Sequence, residues 1–231
     1  MSKIISTIAI IALLFLPCIS YAQGPDKGRI LEKAVFIHHK DNFAKPINPN
    51  VKRTPACYGF LSKGAKLKST QSLVIQPNIN GQTIMTSANT WDTQTSSSLI
   101  SDYTTDQNAN WDGSLPDGRN ELSFGNYDEA GVIAITVAWG YFSGAPSTKE
   151  IVEFDILFDT DYTWGDASIS PEVMDLENIA THEIGHGLGL KDVYEDSCGA
   201  VTMYGYSDNG DIAKRTLEPQ DITGLRTLYG V

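Results

Sequence analysis

One segment near the C-terminal end of the chain constrains its fold and chemistry more than any other. It reads His182-Glu183-Ile184-Gly185-His186-Gly187-Leu188-Gly189-Leu190-Lys191-Asp192. On an α-helix, residues four apart lie one turn apart on the same face, so His182 and His186 present two imidazoles to one point. Two imidazoles at this spacing are typical zinc ligands, with Glu183 beside them as a non-ligand. A helix is therefore predicted over 175–188, with Asp175 as its N-cap.

The residues after the two histidines supply a third ligand. Gly189 can take a left-handed conformation, which ends the helix and reverses the chain. That reversal brings the carboxylate of Asp192 towards the same metal. Three protein ligands with one position open to solvent form a catalytic zinc site, whereas a structural site is closed by a fourth ligand. The chain's other histidines, His38 and His39, lie in a basic stretch and are expected to be solvated rather than to bind metal.

The extended motif resembles that of the metzincin metallopeptidases, and more closely that of the matrixin-like branch found in secreted microbial proteins. The run Val201-Thr202-Met203-Tyr204-Gly205 resembles the family's Met-turn, in which a methionine forms an apolar base under the metal. The resemblance assigns that role to Met203. The ending from Glu218 to Gly230 is similar to the matrixin C-terminal helix, and 151–164 to the last sheet strand and the loop after it. The likeness covers about residues 70–231.

This resemblance implies an α+β fold: a metzincin-type catalytic domain with a twisted five-stranded mixed sheet, an active-site helix, a Met-turn and a C-terminal helix. Hydrophobic periodicity along the chain agrees with that expectation. The predicted strands are 71–77, 98–104, 121–124, 132–142 and 150–158, and the predicted helices are 80–95, 175–188 and a final one that begins near Pro219.

Two departures from the family pattern matter. The family's usual third ligand is histidine, and Asp192 in its place resembles the snapalysin-type variant, so activity is still expected. Animal matrixins also carry a histidine-rich structural zinc site, but this chain has no histidine between Gln71 and Ile179, so that second zinc is predicted to be absent. Calcium could take over its stabilising role, because Asp155, Asp159 and Asp161 offer hard oxygen ligands near a loop. The alternative is a solvated acidic turn.

The N-terminus has the features of a secretion signal. An apolar run from Ile4 to Leu16 precedes the small-residue ending Ser20-Tyr21-Ala22, which predicts a signal peptide over 1–22 with cleavage after Ala22. The apolar run is too short to span a membrane. We therefore expect a secreted or extracellular protein, or a periplasmic one. The further division predicted is a basic arm or pro-segment over 23–66 and a zinc metallopeptidase domain over 67–231.

Charge is distributed unevenly along a chain of net charge −11. Residues 23–70 contain ten Lys or Arg and three Asp or Glu, whereas residues 71–231 contain six and twenty-five. An acidic body argues against nucleic acid as a partner, because phosphate binding needs a basic face. The basic stretch is either a solvated tail or a pro-segment that complementary charge holds on the acidic domain.

The predicted export decides how the three cysteines are interpreted. Once Cys18 leaves with the signal peptide, Cys57 and Cys198 remain in an oxidising setting, which favours one disulfide between them. A bridge across so long a loop contributes about 4 kcal/mol. The alternative is that Cys57 is a free thiolate that caps the metal in a latent form, as matrixin pro-segments do. The run Thr54-Pro55-Ala56-Cys57-Tyr58-Gly59 overlaps only thinly with the Pro-Arg-Cys-Gly-type motif of those segments.

Together these features predict a secreted zinc endopeptidase of protein or peptide substrates. Glu183 is the expected general base, and the substrate would pair with an exposed edge strand over Val132–Phe142. We expect a monomer that does not bind membranes once the signal is removed. The alternative is a catalytically inactive zinc-binding or adhesive module, which would need a fourth protein ligand such as Cys57, His38 or His39.

Overall fold

The computed structural model describes residues 28–41 and 56–231, so the predicted signal peptide lies outside the described residues. Eleven strands are present within these two ranges, and most of them belong to one sheet. The strands are β1 (Glu32–Lys40), β2 (Gly59–Phe60), β3 (Gln71–Ile75), β4 (Ile100–Thr105), β5 (Asn120–Gly125), β6 (Val132–Tyr141), β7 (Glu150–Asp159), β8 (Trp164–Gly165), β9 (Met174–Asp175), β10 (Leu190–Lys191) and β11 (Tyr206–Ser207).

A seven-stranded mixed sheet has the order β11-β1-β6-β7-β5-β3-β4, and two-stranded sheets join β10 to β2 and β8 to β9. Strands β4, β3, β5 and β7 are parallel neighbours, while β6 runs antiparallel to both β7 and β1. Nine of the ten residues of β6 are buried, which explains its nearly continuous apolar sequence. The predicted α+β fold with a mixed sheet is confirmed.

The sheet is larger than the expected five strands because β1 and β11 extend it beyond β6. Strand β1 falls in the segment 23–66, which was predicted to be a basic arm or pro-segment and for which no strand was predicted. Its centre, Val35-Phe36-Ile37, is rich in β-branched and aromatic residues, and pairing with β6 satisfies its backbone groups. Strand β11 is two residues long, too short to leave a recognisable sequence pattern.

In the described part of the chain, three α-helices accompany the sheet: α1 (Gly81–Asp92), α2 (Leu176–Gly187) and α3 (Pro219–Tyr229). None of the helices in the described ranges has the length and apolar character needed to cross a bilayer. Helices α1 and α2 pack together, and the indole of Trp91 donates a hydrogen bond to the carbonyl of Thr181 at 2.7 Å. Helix α3 begins with Pro219 at its first turn and ends at Gly230, as predicted.

The main hydrophobic core includes Trp91, Phe154 and Ile184, all fully buried. Leu61 and Ala65 belong to the same core, with 5% and 0% of their surface exposed. Residues just before position 67 are therefore packed into the domain rather than forming part of a free arm.

Cys57 and Cys198 form a disulfide whose Cα atoms are 5.4 Å apart, although 141 positions separate the two residues. The bridge packs with Val193, Val201 and Tyr204 in a small cluster of its own. It ties the start of the described domain to the segment that precedes Met203. Cys57 therefore carries no free thiol in this structure.

Replacing either cysteine by serine is expected to lower the free energy of unfolding by about 2–5 kcal/mol, because the bridge closes a very long loop in the unfolded chain. Urea unfolding of Cys57→Ser, Cys198→Ser and the double variant measures this loss. All three should lose the same amount, since each removes the same bond. If the double variant instead lost the sum of the two single losses in unfolding free energy, the packing of the two side chains, and not the bond between them, would be what stabilises the fold.

Candidate metal centre

Helix α2 holds the two histidines and the glutamate of the motif in the interior of the protein. The Asp175 side chain accepts a hydrogen bond from the backbone N–H of Asn178 at 2.8 Å, so it is the N-cap, as predicted. His182, Glu183 and His186 are all fully buried. The helix is central to the fold, so its histidines are held rigidly, in contrast to a pair on a surface helix.

The chain reverses directly after α2. Gly189 has φ +99°, and a Cβ atom there would lie 2.2 Å from the carbonyl oxygen of Ala65. Strand β10 then pairs with β2, and the chain returns to bring Asp192 beside the two histidines. One carboxylate oxygen of Asp192 (Oδ1) lies 3.1 Å from Nε2 of His182 and 3.4 Å from Nε2 of His186.

The three atoms form a set that fits a zinc ion. The two Nε2 atoms of His182 and His186 are 3.1 Å apart, and ligand atoms around a tetrahedral zinc ion lie about 3.3 Å apart. Oδ1 of Asp192 is buried and has no hydrogen bond within the described ranges. A buried carboxylate oxygen without a donor, facing two imidazole nitrogens, is what a metal ligand requires.

Backbone carbonyls fix the ring orientation of both histidines. Nδ1 of His182 donates to the carbonyl of Thr202 at 2.7 Å, and Nδ1 of His186 donates to the carbonyl of Leu190 at 3.0 Å. With the proton on Nδ1, Nε2 is left with a lone pair for a metal. Burial lowers the pKa of His182 to about 4, which keeps that imidazole neutral and able to coordinate.

Two residues that sequence reasoning missed support the ligands from outside. Tyr194 lies beside Asp192, and burial together with the charge of that carboxylate raises the pKa of the Tyr194 hydroxyl. Buried Asp221, in the first turn of α3, accepts hydrogen bonds from the backbone N–H groups of Thr202 and Met203 at 2.8 and 3.2 Å. A signal for Asp221 was present, because it lies three residues after Glu218 and forms a capping box with it.

Met203 packs against α2 at Gly185. It is fully buried, and a Cβ atom on Gly185 would stand 2.4 Å from its sulfur. The methionine can approach this closely only because Gly185, between the two histidines, has no side chain. This position is compatible with the role of apolar base that the sequence resemblance implies.

Glu183 has both carboxylate oxygens engaged. Oε2 accepts a hydrogen bond from the hydroxyl of Thr136 on β6 at 2.6 Å, and Oε1 accepts one from Nδ1 of His38 at 3.1 Å. Burial raises the pKa of Glu183 to about 7. A carboxylate with a pKa near neutrality is suited to accept and release a proton.

The expectation that His38 is solvated is wrong, because the residue is fully buried beside Glu183 and His182. The period of two along a β-strand turns Phe36 and His38 to the same side of β1, towards the metal centre. His39 is partly exposed and belongs to no group of metal-ligating side chains in the described part of the chain.

Comparison with known proteins agrees with this geometry. Residues 63–230 match the family model described as Matrixin. This chain belongs to the matrixin family. Matrixins are zinc metallopeptidases, and the matched region contains Asp192 as well as both motif histidines.

Two characterised proteins share part of the matrixin sequence. The chain is 32% identical over 109 residues to a hatching enzyme from Paracentrotus lividus, which is 47% of this chain and 17% of the relative. It is 42% identical over 79 residues to metalloendoproteinase 1 from Glycine max, which is 32% of this chain and 25% of the relative. The chain thus spans a quarter or less of the length of these relatives.

The structure of this matrixin does not bring together the predicted calcium ligands Asp155, Asp159 and Asp161. Asp155 and Asp159 are four residues apart on β7, and four residues of strand extend about 13 Å. Asp155 instead accepts hydrogen bonds from the backbone N–H groups of Glu121 and Asp112 at 2.9 and 3.1 Å. The Asp155 carboxylate is used within the fold, and a calcium role for the three aspartates is not supported.

Gly189→Ala is expected to destabilise the protein by about 2–4 kcal/mol, because an added Cβ would collide with the backbone of Ala65 in a left-handed conformation. Thermal unfolding of the variant measures the loss. Gly118→Ala is the matched control, since Gly118 has φ +87° but open space around it. It should cost only about 1 kcal/mol. Equal losses in the two variants would show that the close approach at Gly189 is unimportant.

Proposed function

We propose that this protein is a zinc-dependent endopeptidase in which His182, His186 and Asp192 hold the metal and Glu183 is the general base. One observation carries the proposal: two Nε2 atoms and one carboxylate oxygen converge within 3.4 Å of one another beside a buried glutamate. The aspartate is the proposed substitute for the third histidine that is usual in the family. The likeness to the microbial branch and to the snapalysin-type variant stays a prediction.

The chain's own residues have distinct parts in peptide hydrolysis. Zinc, when bound, supplies Lewis-acid chemistry that makes water a stronger nucleophile and polarises the carbonyl group. Glu183 takes a proton from the attacking water at Oε1 and passes it to the leaving amine. The hydroxyl of Thr136 holds Oε2, so the carboxylate keeps one oxygen directed at the reaction. Met203 packs against α2 at Gly185, between the two histidines, as the proposed apolar base of the site.

A peptide substrate is proposed to bind in extended form along β6, as the sequence suggested. The prediction that β6 has an exposed edge is wrong for this chain, since β1 pairs with it from Val132 to Gly140. Substrate and β1 would compete for the same backbone groups of β6. Pairing of a substrate there therefore requires that β1 leave.

Secretion is part of the proposal. The Cys57–Cys198 disulfide is compatible with an oxidising compartment, and the predicted signal peptide over 1–22 gives a route to it. Proposed substrates are proteins or peptides, as for matrixins generally. The inactive zinc-binding module, the second candidate, draws support from His38, which is buried beside His182 and Glu183. The buried Glu183–Thr136 pair has no purpose in such a module, so we favour the peptidase.

Removal of the metal tests the proposed function. The purified chain is expected to contain stoichiometric zinc by atomic absorption. After a cut between β1 and Cys57, it should hydrolyse casein, lose that activity in 1,10-phenanthroline and regain it with added zinc. The matched control is 1,7-phenanthroline, which has the same size but cannot chelate. A chain without zinc, or hydrolysis that resists the chelator, would overturn the assignment.

A further inference from the structure

We propose that β1 is a built-in inhibitory strand that fills the peptide-binding groove and places His38 as a fourth ligand of the metal, so that the full chain is latent. The inference rests on the proposed zinc peptidase function and adds its regulation. The main observation behind it is that β1 pairs with β6 and also places a buried histidine, His38, at the metal centre.

Strand β1 occupies a gap that has the form of a peptide groove. It runs antiparallel to β6 from the Glu32–Gly140 pair to the His39–Val132 pair. On its other side, it runs parallel to β11, where His39 is opposite Tyr206. Because β11 pairs only with β1 in the described sheet, removing β1 leaves two facing backbone edges. An extended peptide is the ligand that such edges bind.

The inward side chains of β1 meet the ligands themselves. The ring of Phe36 stacks on the imidazole of His186, with centroids 4.1 Å apart and planes within 6°. The ring of His38 lies 4.0 Å from that of His182. A peptide bound along β6 could not reach the metal centre past these two rings.

One nitrogen of His38 remains available for coordination. Nδ1 donates to Glu183, whereas Nε2 is buried and has no hydrogen-bond partner in the described part of the chain. Ligand atoms of His38, His182 and Glu183 lie within 4.8 Å of one another. An unpartnered imidazole nitrogen in a buried site is costly unless a metal satisfies it. The hydrogen bond to His38 also occupies the oxygen that Glu183 needs as a base.

The other candidate for a fourth metal ligand, Cys57, is already bonded in a disulfide. Cys57 is joined to Cys198, so it has no thiolate to offer the metal. The disulfide also keeps residue 57 attached to the domain if the chain is cut between residues 42 and 55. Such a cut would separate β1 from the domain without breaking any pairing within the region 63–230 that matches the family.

Basic side chains at the ends of β1 lie on the acidic domain. Arg29 pairs with Glu150 at 3.3 Å and Lys40 with Asp208 at 3.1 Å. These ion pairs join the basic N-terminal stretch to the acidic body of the domain, as the uneven charge of the sequence suggested. Exposed ion pairs contribute about 0–1 kcal/mol each, so strand pairing and His38 must supply most of the binding.

The first experiment replaces zinc with Co²⁺ in the full chain and records the visible absorption spectrum. His38→Ala should shift the d–d bands, because solvent replaces an imidazole ligand. His39→Ala is the matched control. The His39 side chain is next to His38 in the sequence but is not among the metal-ligating side chains, so this variant should keep the spectrum of the unaltered chain. An unchanged spectrum in His38→Ala would overturn the proposal.

A second experiment needs no variant of His38, in case that variant fails to fold. A site for a sequence-specific endoprotease is introduced between residues 42 and 55, and acetohydroxamate is added to the Co²⁺ protein before and after the cut. The ligand should change the spectrum only after the cut and removal of β1. A spectral change of equal size in the uncut chain would overturn the proposal.

The same cut should raise hydrolysis of a quenched fluorescent peptide by at least about 100-fold, the order of magnitude that one ligand contributes to a four-ligand zinc site. Adding back a synthetic peptide of residues 28–41 should inhibit, and its His38→Ala form should inhibit about 100-fold more weakly. A zinc-containing full chain as active as the cut one overturns the latency alone. A chain that binds no zinc in either form overturns the proposed function with it.

Discussion

Glu183→Gln is expected to leave zinc bound and to lower peptide hydrolysis by at least about 10²–10⁴-fold. Glutamine has the same shape as glutamate, and its amide oxygen can still accept the hydrogen bond from Thr136. It cannot take a proton from water at neutral pH. The variant therefore removes the base and keeps the packing of α2.

The comparison should be made on both proteins after the same cut between β1 and Cys57, so that latency does not hide the difference. Zinc content by atomic absorption and kcat/KM on a quenched peptide are the two readouts. Glu177→Gln is the matched control, because Glu177 is on the same helix but five residues before His182 and away from the ligands. Full activity in Glu183→Gln would show that another group is the base.

Asp192→Ala, unlike Glu183→Gln, is expected to weaken zinc binding, because it removes a ligand rather than the base. Four-ligand zinc sites bind with roughly 10–16 kcal/mol, so one ligand is worth about 2.5–4 kcal/mol, or a factor of about 100 or more in zinc affinity. Activity should fall in parallel and return in part when excess zinc is added. No such rescue is expected for Glu183→Gln.

Competition with a fluorescent zinc indicator measures the affinity of Asp192→Ala. Asp102→Asn, at an exposed position on β4, is the control and should bind zinc like the unaltered chain. Asp192→Ala with unchanged affinity would mean that the carboxylate is not a ligand. Tyr194→Phe should lie between the two, with a loss of about 10–100-fold, because it removes a hydroxyl beside Asp192 but no ligand.

The predicted calcium site shows where local sequence reasoning fails. Three aspartates within seven positions look like one cluster in the sequence. On a strand, however, four positions separate Asp155 from Asp159 by about 13 Å, and hydrogen bonds to backbone groups engage Asp155. An acidic group does form among Asp112, Asp117 and Glu153, residues that are far apart in the sequence. Proximity along the chain was a poor guide to proximity in space.

The motif itself was predictable because its geometry is local. The spacing of His182 and His186 places both on one helix face, Asp175 begins that helix, and Gly189 ends it. These features depend on hydrogen bonds between residues a few positions apart, so the sequence alone determines them. The α+β fold followed from the resemblance and from periodicity in the strands.

Tertiary structure alone decided what surrounds the motif. His38 reaches Glu183 from 145 positions away, because β1 pairs with β6 and its alternation turns His38 inward. Asp221 reaches the backbone at Thr202 and Met203 only because α3 packs there. Contacts of this kind depend on which strand edge is free and which helix end is near. No pattern within a short window of residues carries that information, and so the histidine expected in solvent lies at the centre of the site.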